Sequence, residues 1–336
     1  MPKTANRRSG RLRLHLENSR KKPAEKQYTL ERYQAVAKRH RAAARRIEVS
    51  VGHDGDISDR ELAKVDFMLG VPPDRARLKH VATRLKWLHC TMAGVDALLP
   101  LDWLPPQAQF TNNVGVHGHK AREYVRMAIT LLHTRMPQLL ANQRKHRWQQ
   151  IFSPALAGKT AVVVGLGDVG GGSAQAARDL GLKVIGVRRS GKASPLADRT
   201  VKLSQLDRIL PLADVVVLAA PNTAETRNLL NARRIGLLKK GCGIVNIGRA
   251  TLLDHSALCA RLRKGTLCGA VLDVMPSEPL PANSPYWNVP NLIITPHISC
   301  DDSDYAALTL ERWFLNLERL LAGKPLHNRI DPKRGY

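Results

Sequence analysis

Three polar residues follow apolar, strand-like runs in the second half of this 336-residue chain. Arg249 follows Val245-Asn246-Ile247-Gly248, Glu278 follows Leu272-Asp273-Val274-Met275-Pro276-Ser277, and His297 follows Ile294-Thr295-Pro296. In an open α/β sheet, ligands bind outside the carboxyl ends of the strands. Converging there, the three suit a 2-keto acid. Arginine binds the carboxylate and polarises the ketone, histidine exchanges a proton with the oxygen at C2, and glutamate holds the imidazole. Each residue alone reads as readily as a solvated loop charge. Their joint position behind a dinucleotide motif gives them meaning.

That motif is Val162-Val163-Val164-Gly165-Leu166-Gly167-Asp168-Val169-Gly170, a β-branched strand running into Gly-x-Gly-x-x-Gly. Gly165 makes the tight turn, Gly167 lets the backbone approach a pyrophosphate, and Gly170 lets helix and strand pack closely. Asp168 and Val169 open the helix whose free N–H groups face the anion. The next strand, 183–187, ends at Arg188-Arg189-Ser190. A site specific for NAD carries an acidic residue there for the ribose 2′-hydroxyl. Two planar, permanently charged guanidinium groups suit a 2′-phosphate instead, so NADP(H) is the expected cofactor and NAD(H) the alternative. A flavin is disfavoured, because the glycine motif lies mid-chain and no second flavin-type region is seen.

Alternating strands and helices must position these groups. Strands are expected at 160–164, 183–187, 215–218, 243–247, 268–272 and 292–295. Helices are expected at 169–180, 204–210, 231–238 and 253–264. Six apolar strands between helices imply a buried parallel sheet. Upstream, shorter strand-like runs near 46–51, 65–70, 85–89 and 110–116 suggest a smaller α/β domain, ending in one long helix over 120–142. A last helix, capped by Asp301 or Ser303, runs to Leu321.

The net charge is +25, and residues 1–46 hold 15 Lys/Arg against Glu17, Glu25 and Glu31. This segment reads as a solvated, poorly ordered basic arm. Without aromatic interleaving or a binding motif, no specific nucleic-acid partner is expected. No run approaches the roughly 20 apolar residues of a membrane span, and no secretory signal is visible. The five cysteines lack Cys-x-x-Cys spacing, so they read as reduced in a cytoplasmic compartment, and no metal is expected.

Over about residues 80–336 the chain resembles the D-isomer-specific 2-hydroxyacid dehydrogenase family. The successive blocks are Gly165–Gly170; Ala213-Asp214-Val215-Val216-Val217 with Pro221-Asn222-Thr223 and Glu225-Thr226-Arg227; Asn246-Ile247-Gly248-Arg249; Gly269-Ala270-Val271-Leu272-Asp273-Val274 with Glu278-Pro279-Leu280; and Thr295-Pro296-His297-Ile298. The resemblance implies an α/β fold of two Rossmann-like or flavodoxin-like parallel-sheet domains with a cleft between them. It implies a substrate domain of 46–120 plus 303–336, a dinucleotide-binding domain of 121–302, and 1–45 as an extension outside both. It implies that Arg249, Glu278 and His297 are catalytic. Backbone at Ala93, Gly94 and Val95 would meet the substrate carboxylate. Pro221, Thr226 and Ile247 would line the cofactor groove, and Asp273 would contact the nicotinamide amide. A homodimer is usual. The family's Gly after the catalytic Arg is Ala250 here. The implied activity is reduction of small 2-keto acids, with glyoxylate and hydroxypyruvate leading. The alternative is a non-catalytic NAD(P)(H)-binding regulator of corepressor type.

Overall fold

Strands that are apolar along their whole length must be covered on both faces. In the computed structural model of the chain, which describes residues 10–331, such strands form two all-parallel sheets. Each belongs to its own compact unit. One unit is built from the residues up to Val116 together with those from Asp302 on, and the other is His117–Asp301.

The first unit has β1 (Leu12–Asn18), β2 (Ile47–His53), β3 (Phe67–Leu69), β4 (Trp87–His89) and β5 (Gln109–Thr111), in the spatial order β2-β1-β3-β4-β5. This is the flavodoxin-like order, which reverses direction between β1 and β3. The expected basic arm, whose residues 1–9 lie outside the described residues, is therefore corrected for the rest. Its residues 12–18 are an inner strand, and Leu14 and Leu16 are fully buried. The period-2 alternation Leu12-Arg13-Leu14-His15-Leu16-Glu17 carries the strand signal, which the surrounding arginines mask. The helix Leu30–Ala37 follows, with Thr29 capping it by accepting from the Arg32 N–H. Part of the positive charge is paired on a folded surface: Arg13 with Glu48 and Glu61, Arg20 with Asp54 and Asp56, Arg39 with Glu311. The helix Tyr305–Leu321 closes the core, stacking Trp313 on Trp87 with ring centroids 5.5 Å apart. Asp304, rather than Asp301 or Ser303, stands at its N-cap, and the Asp302 carboxylate accepts from the Asp304 N–H.

The second unit has β6 (Thr160–Val164), β7 (Lys183–Val187), β8 (Arg199–Val201), β9 (Val215–Leu218), β10 (Gly243–Asn246), β11 (Gly269–Leu272) and β12 (Leu292–Ile294). Their order is β12-β11-β10-β9-β6-β7-β8, seven strands rather than six. The extra one, β8, is an Arg-Thr-Val edge strand too short and polar to show as an apolar run. The long helix expected over 120–142 is two, Gly118–His133 and Met136–Arg144. Arg135 takes a left-handed turn (φ 59°), and Pro137, lacking an N–H, fits only the first turn of a new helix. The chain runs outward from β6 to β8 and then crosses to β9, so the direction reverses between β6 and β9.

Candidate active site

The glycine turn lies at that reversal. Gly165 has φ +92°, and a Cβ on it would stand 2.7 Å from the Ala219 carbonyl oxygen just beyond β9. A Cβ on Gly170 would lie 1.9 Å from the Gly165 oxygen, so this close helix–strand approach admits only glycine. Gly167 faces open space, with nothing within 4 Å of where its Cβ would be. It precedes the helix Asp168–Asp179 with no side chain capping the first turn. This cradle of open backbone N–H groups fits a pyrophosphate. Val169 sits in that first turn. The Asp168 carboxylate is turned elsewhere: it accepts from the N–H groups of His117 and Gly118 (both 3.1 Å) and so caps the helix Gly118–His133.

After β7, Arg188, Arg189 and Ser190 form a tight turn closed by the Gly191 N–H on the Arg188 carbonyl. Ser190 Oγ accepts from the Lys192 N–H at 3.3 Å. Lys202, beyond β8, packs its stem against this turn, its Cγ 2.5 Å from where a Cβ on Gly191 would stand. Sequence reasoning missed Lys202, because only the β7–β8 pairing brings it back to Arg188. Beyond β9, Thr226 Oγ1 donates to the Pro221 carbonyl at 2.6 Å and accepts from the Thr223 N–H at 2.8 Å, fixing that loop. Ile247, at the end of β10, is buried in the apolar core.

Glu278 and His297 meet beyond the ends of β11 and β12. His297 Nδ1 lies 2.8 Å from Glu278 Oε2, and Glu278 Oε1 accepts from the Met275 N–H at 3.0 Å. Both side chains are solvent-accessible and line a cavity of about 430 Å³ with apolar walls that include Met275, Leu280 and Trp287. His297 has left-handed backbone, φ 57°. The buried Asp273 carboxylate holds this loop. Its Oδ1 accepts from Thr295 Oγ1 (2.6 Å) and the Ile298 N–H (2.8 Å), and its Oδ2 accepts from the Ser299 N–H (2.8 Å). Thr295 Oγ1 also shares a 2.6 Å hydrogen bond with the Tyr124 hydroxyl.

Arg249 stands at the end of the neighbouring strand β10, outside the residues lining that cavity. Its loop is shaped by buried Asn246, whose amide donates to the Arg249 carbonyl (3.0 Å) and whose Oδ1 accepts from the Gly248 N–H (3.1 Å). Ala250 opens a short 3-10 helix without left-handed backbone, so its methyl group meets no conformational objection. Ala93, Gly94 and Val95 belong to the other unit. They follow β4, and Asn112 Nδ2 donates to the Ala93 carbonyl at 2.6 Å.

The family model described as the NAD binding domain of D-isomer specific 2-hydroxyacid dehydrogenase matches residues 126–299. A glyoxylate/hydroxypyruvate reductase A of Klebsiella pneumoniae is 28% identical over 75% of this chain and 82% of its own length. A D-isomer specific 2-hydroxyacid dehydrogenase of Xanthobacter autotrophicus Py2, solved with NADPH and MES, is 28% identical. It superposes with a TM-score of 0.83 over 96% of this chain and 99% of that one. An NADPH-dependent glyoxylate/hydroxypyruvate reductase of Sinorhizobium meliloti, solved with NADP and sulfate, is 26% identical with a TM-score of 0.79 over 96% and 99%. These descriptions name dehydrogenases and reductases and give the regulator alternative no support.

Proposed function

Because this chain belongs to the D-isomer specific 2-hydroxyacid dehydrogenase family, oxidoreductases that act on a CH–OH group, we propose that it reduces small 2-keto acids such as glyoxylate or hydroxypyruvate with NADPH. The observation that carries this reading is the 2.8 Å His297–Glu278 pair beside the cavity at the ends of β11 and β12. With Nδ1 held by the carboxylate, Nε2 of His297 is left to exchange the mobile proton with the substrate oxygen, as acid in reduction and base in oxidation. Arg249 binds the substrate carboxylate and polarises the carbonyl, with the N–H groups of Ala93–Val95 as further partners. The glycine turn at the β6/β9 reversal would hold NADP(H), which would supply or accept the hydride. Gly165, Gly167 and Gly170 admit its pyrophosphate, and Thr226 with Pro221 shapes the adjoining loop. Arg188 and Arg189, with Lys202 beside them, favour a 2′-phosphate and hence NADP(H).

The segment after the helix Met136–Arg144 presents Trp148 (98% exposed) and Phe152 (87% exposed) to solvent, which supports a homodimer that covers them. All five cysteines are free and four are buried, which supports a reducing, cytoplasmic setting. Among the described residues no helix is long and apolar enough to cross a membrane.

The test is decay of nicotinamide absorbance with NADPH and NADH in parallel, against glyoxylate, hydroxypyruvate, pyruvate and phenylpyruvate. Faster oxidation of NADPH is expected, and His297→Gln should cost ~100-fold or more in turnover, the scale of general acid–base help. A near-wild-type rate for that variant would sink the acid–base assignment.

A further inference from the structure

A second polar constellation lies wholly within the first unit. Along β1, Leu14 and Leu16 join the core with Trp313, so Arg13, His15 and Glu17 point to the opposite face of the sheet. The parallel register sets His15 beside Ser50 of β2 and Glu17 beside Gly52. Ser50 Oγ lies 3.0 Å from His15 Nδ1, and His15 Nε2 lies 3.0 Å from Glu17 Oε2. Glu17 Oε1 accepts from the Gly55 N–H at 2.9 Å. The imidazole and the carboxylate are each 2% exposed, whereas Ser50, on the edge strand, is open to solvent. A sheltered base thus meets an accessible hydroxyl.

The direction of this hydrogen-bond chain follows from its acid. A carboxylate oxygen only accepts, so the proton of the neutral imidazole is assigned to Nε2, and Nδ1 turns its lone pair to the Ser50 hydroxyl. The Leu14 carbonyl, 3.5 Å from Ser50 Oγ, is the more distant acceptor. Relative to the usual serine triad the two ring nitrogens exchange roles, but the order of nucleophile, base and carboxylate is the same. Gly52 makes room for the ring. A Cβ there would stand 2.7 Å from His15 Cε1 and 2.8 Å from Asp56 Oδ1.

A cavity of about 260 Å³ opens beside the pair, with Val51, Ile57 and Val65 among its walls. The cation on its wall, Arg13, pairs with Glu48 and Glu61, and Asp56 pairs with Arg20. These carboxylates disfavour an anionic ligand, and the apolar walls suit a short acyl chain.

We propose that Ser50, His15 and Glu17 form a second, hydrolytic site for small neutral carboxylic esters. Ser50 is the nucleophile, His15 the general base, and Glu17 the residue that positions the imidazole. Ser50 Oγ bonds to the ester carbonyl carbon as its proton passes to His15 Nδ1. The bond to the alcohol oxygen breaks, the alcohol leaves with that proton, and an acyl-Ser50 ester remains. Water then adds to this ester and gives a proton to Nδ1. Ser50 Oγ departs with that proton, and the carboxylic acid is released. The site needs neither the nicotinamide nor the second unit.

The full-length protein is treated with a fluorophosphonate, which stays on an activated serine, and separately with p-nitrophenyl acetate. Peptide mass mapping should place the phosphonate on Ser50. Nitrophenolate release should fall by ~100-fold or more in Ser50→Ala, the scale of general-base help. Glu17→Gln and Gly52→Ala should each lower kcat by ~10-fold or more at unchanged KM, because they disturb the imidazole and not the cavity. Thermal midpoints check that each variant folds. Should the two buried substitutions unfold the protein, the exposed Ser50→Ala decides alone. A phosphonate that does not map to Ser50 overturns the proposal. So does release unmoved by Ser50→Ala, the result that acetylation of surface lysines would give.

Discussion

Replacing Asp273 by Asn asks whether the loop that carries His297 is held by this buried carboxylate. The carboxylate accepts three hydrogen bonds, two on Oδ1 and one on Oδ2. Asparagine keeps one carbonyl oxygen. Its NH2 group must therefore confront at least the Ser299 N–H, or, flipped, both Thr295 Oγ1 and the Ile298 N–H. One buried N–H left unsatisfied costs ~1–3 kcal/mol, and the remaining bonds lose their charged acceptor, so about 2–4 kcal/mol is expected. That exceeds the ~1–2 kcal/mol that left-handed backbone costs an L-residue such as His297. At 1.4 kcal/mol per factor of ten, the loop's closed state loses ~30- to ~1000-fold against open forms. The expected outcome is a drop in kcat of at least ~10-fold, with faster amide exchange at Ile298 and Ser299. Thr295→Val removes one of the three bonds without touching the carboxylate and should act in the same direction more weakly. A variant Asp273→Asn with kcat within ~2-fold of wild type and unchanged exchange at both amides would refute the reasoning, given that the bonds it loses are worth at least ~1 kcal/mol.

Two further outcomes follow from packing and titration. In Gly170→Ala the new methyl carbon would stand 1.9 Å from the Gly165 oxygen, so the glycine turn must shift. Destabilisation of about 1–3 kcal/mol in urea is expected together with weakened nucleotide binding, and wild-type values for both would show that the turn re-forms freely. Burial lowers the pKa of His89 to about 4, and its two nitrogens face Thr111 Oγ1 at 2.8 Å and Asn113 Oδ1 at 3.4 Å. The unfolded chain takes up this proton near 6.5, so between those values it binds more protons than the native state. Stability should therefore fall as pH drops from ~6.5 to ~4, by up to about 3 kcal/mol from this residue. Denaturant midpoints across that range should slope less in His89→Gln, and identical slopes would remove His89 from the account.

The second unit was readable because its signals are local. Valine-rich strands, a glycine turn and helices capped by Asn231 and Asp254 sit within short windows, and the strand positions shift by only a residue or two. Glu278 and His297 were nominated by type and strand-end position, and the 2.8 Å contact joins them. What was hidden depends on pairing or on competing signals. β1 lay beneath a run of arginines, and β8 is legible only as the neighbour of β7. Lys202 gains its surroundings from a chain segment that no motif links to it. The Asp168 carboxylate caps the helix Gly118–His133, a bond between separate chain segments that no local window displays.

The first unit is assembled from both ends of the chain, and this fixes an order of events during synthesis. β1 to β5 leave the ribosome before the second unit, yet the helix Tyr305–Leu321 that seats Leu310, Trp313 and Phe314 against them is made after it. His117–Asp301, continuous in sequence, can complete its own core while the earlier strands still wait with an uncovered apolar face. Nascent chains halted before residue 305 should therefore hold one finished unit and one sticky half-unit. A truncation that removes the helix Tyr305–Leu321 should aggregate rather than merely lose activity, because the five strands between Leu12 and Thr111 depend on it for cover.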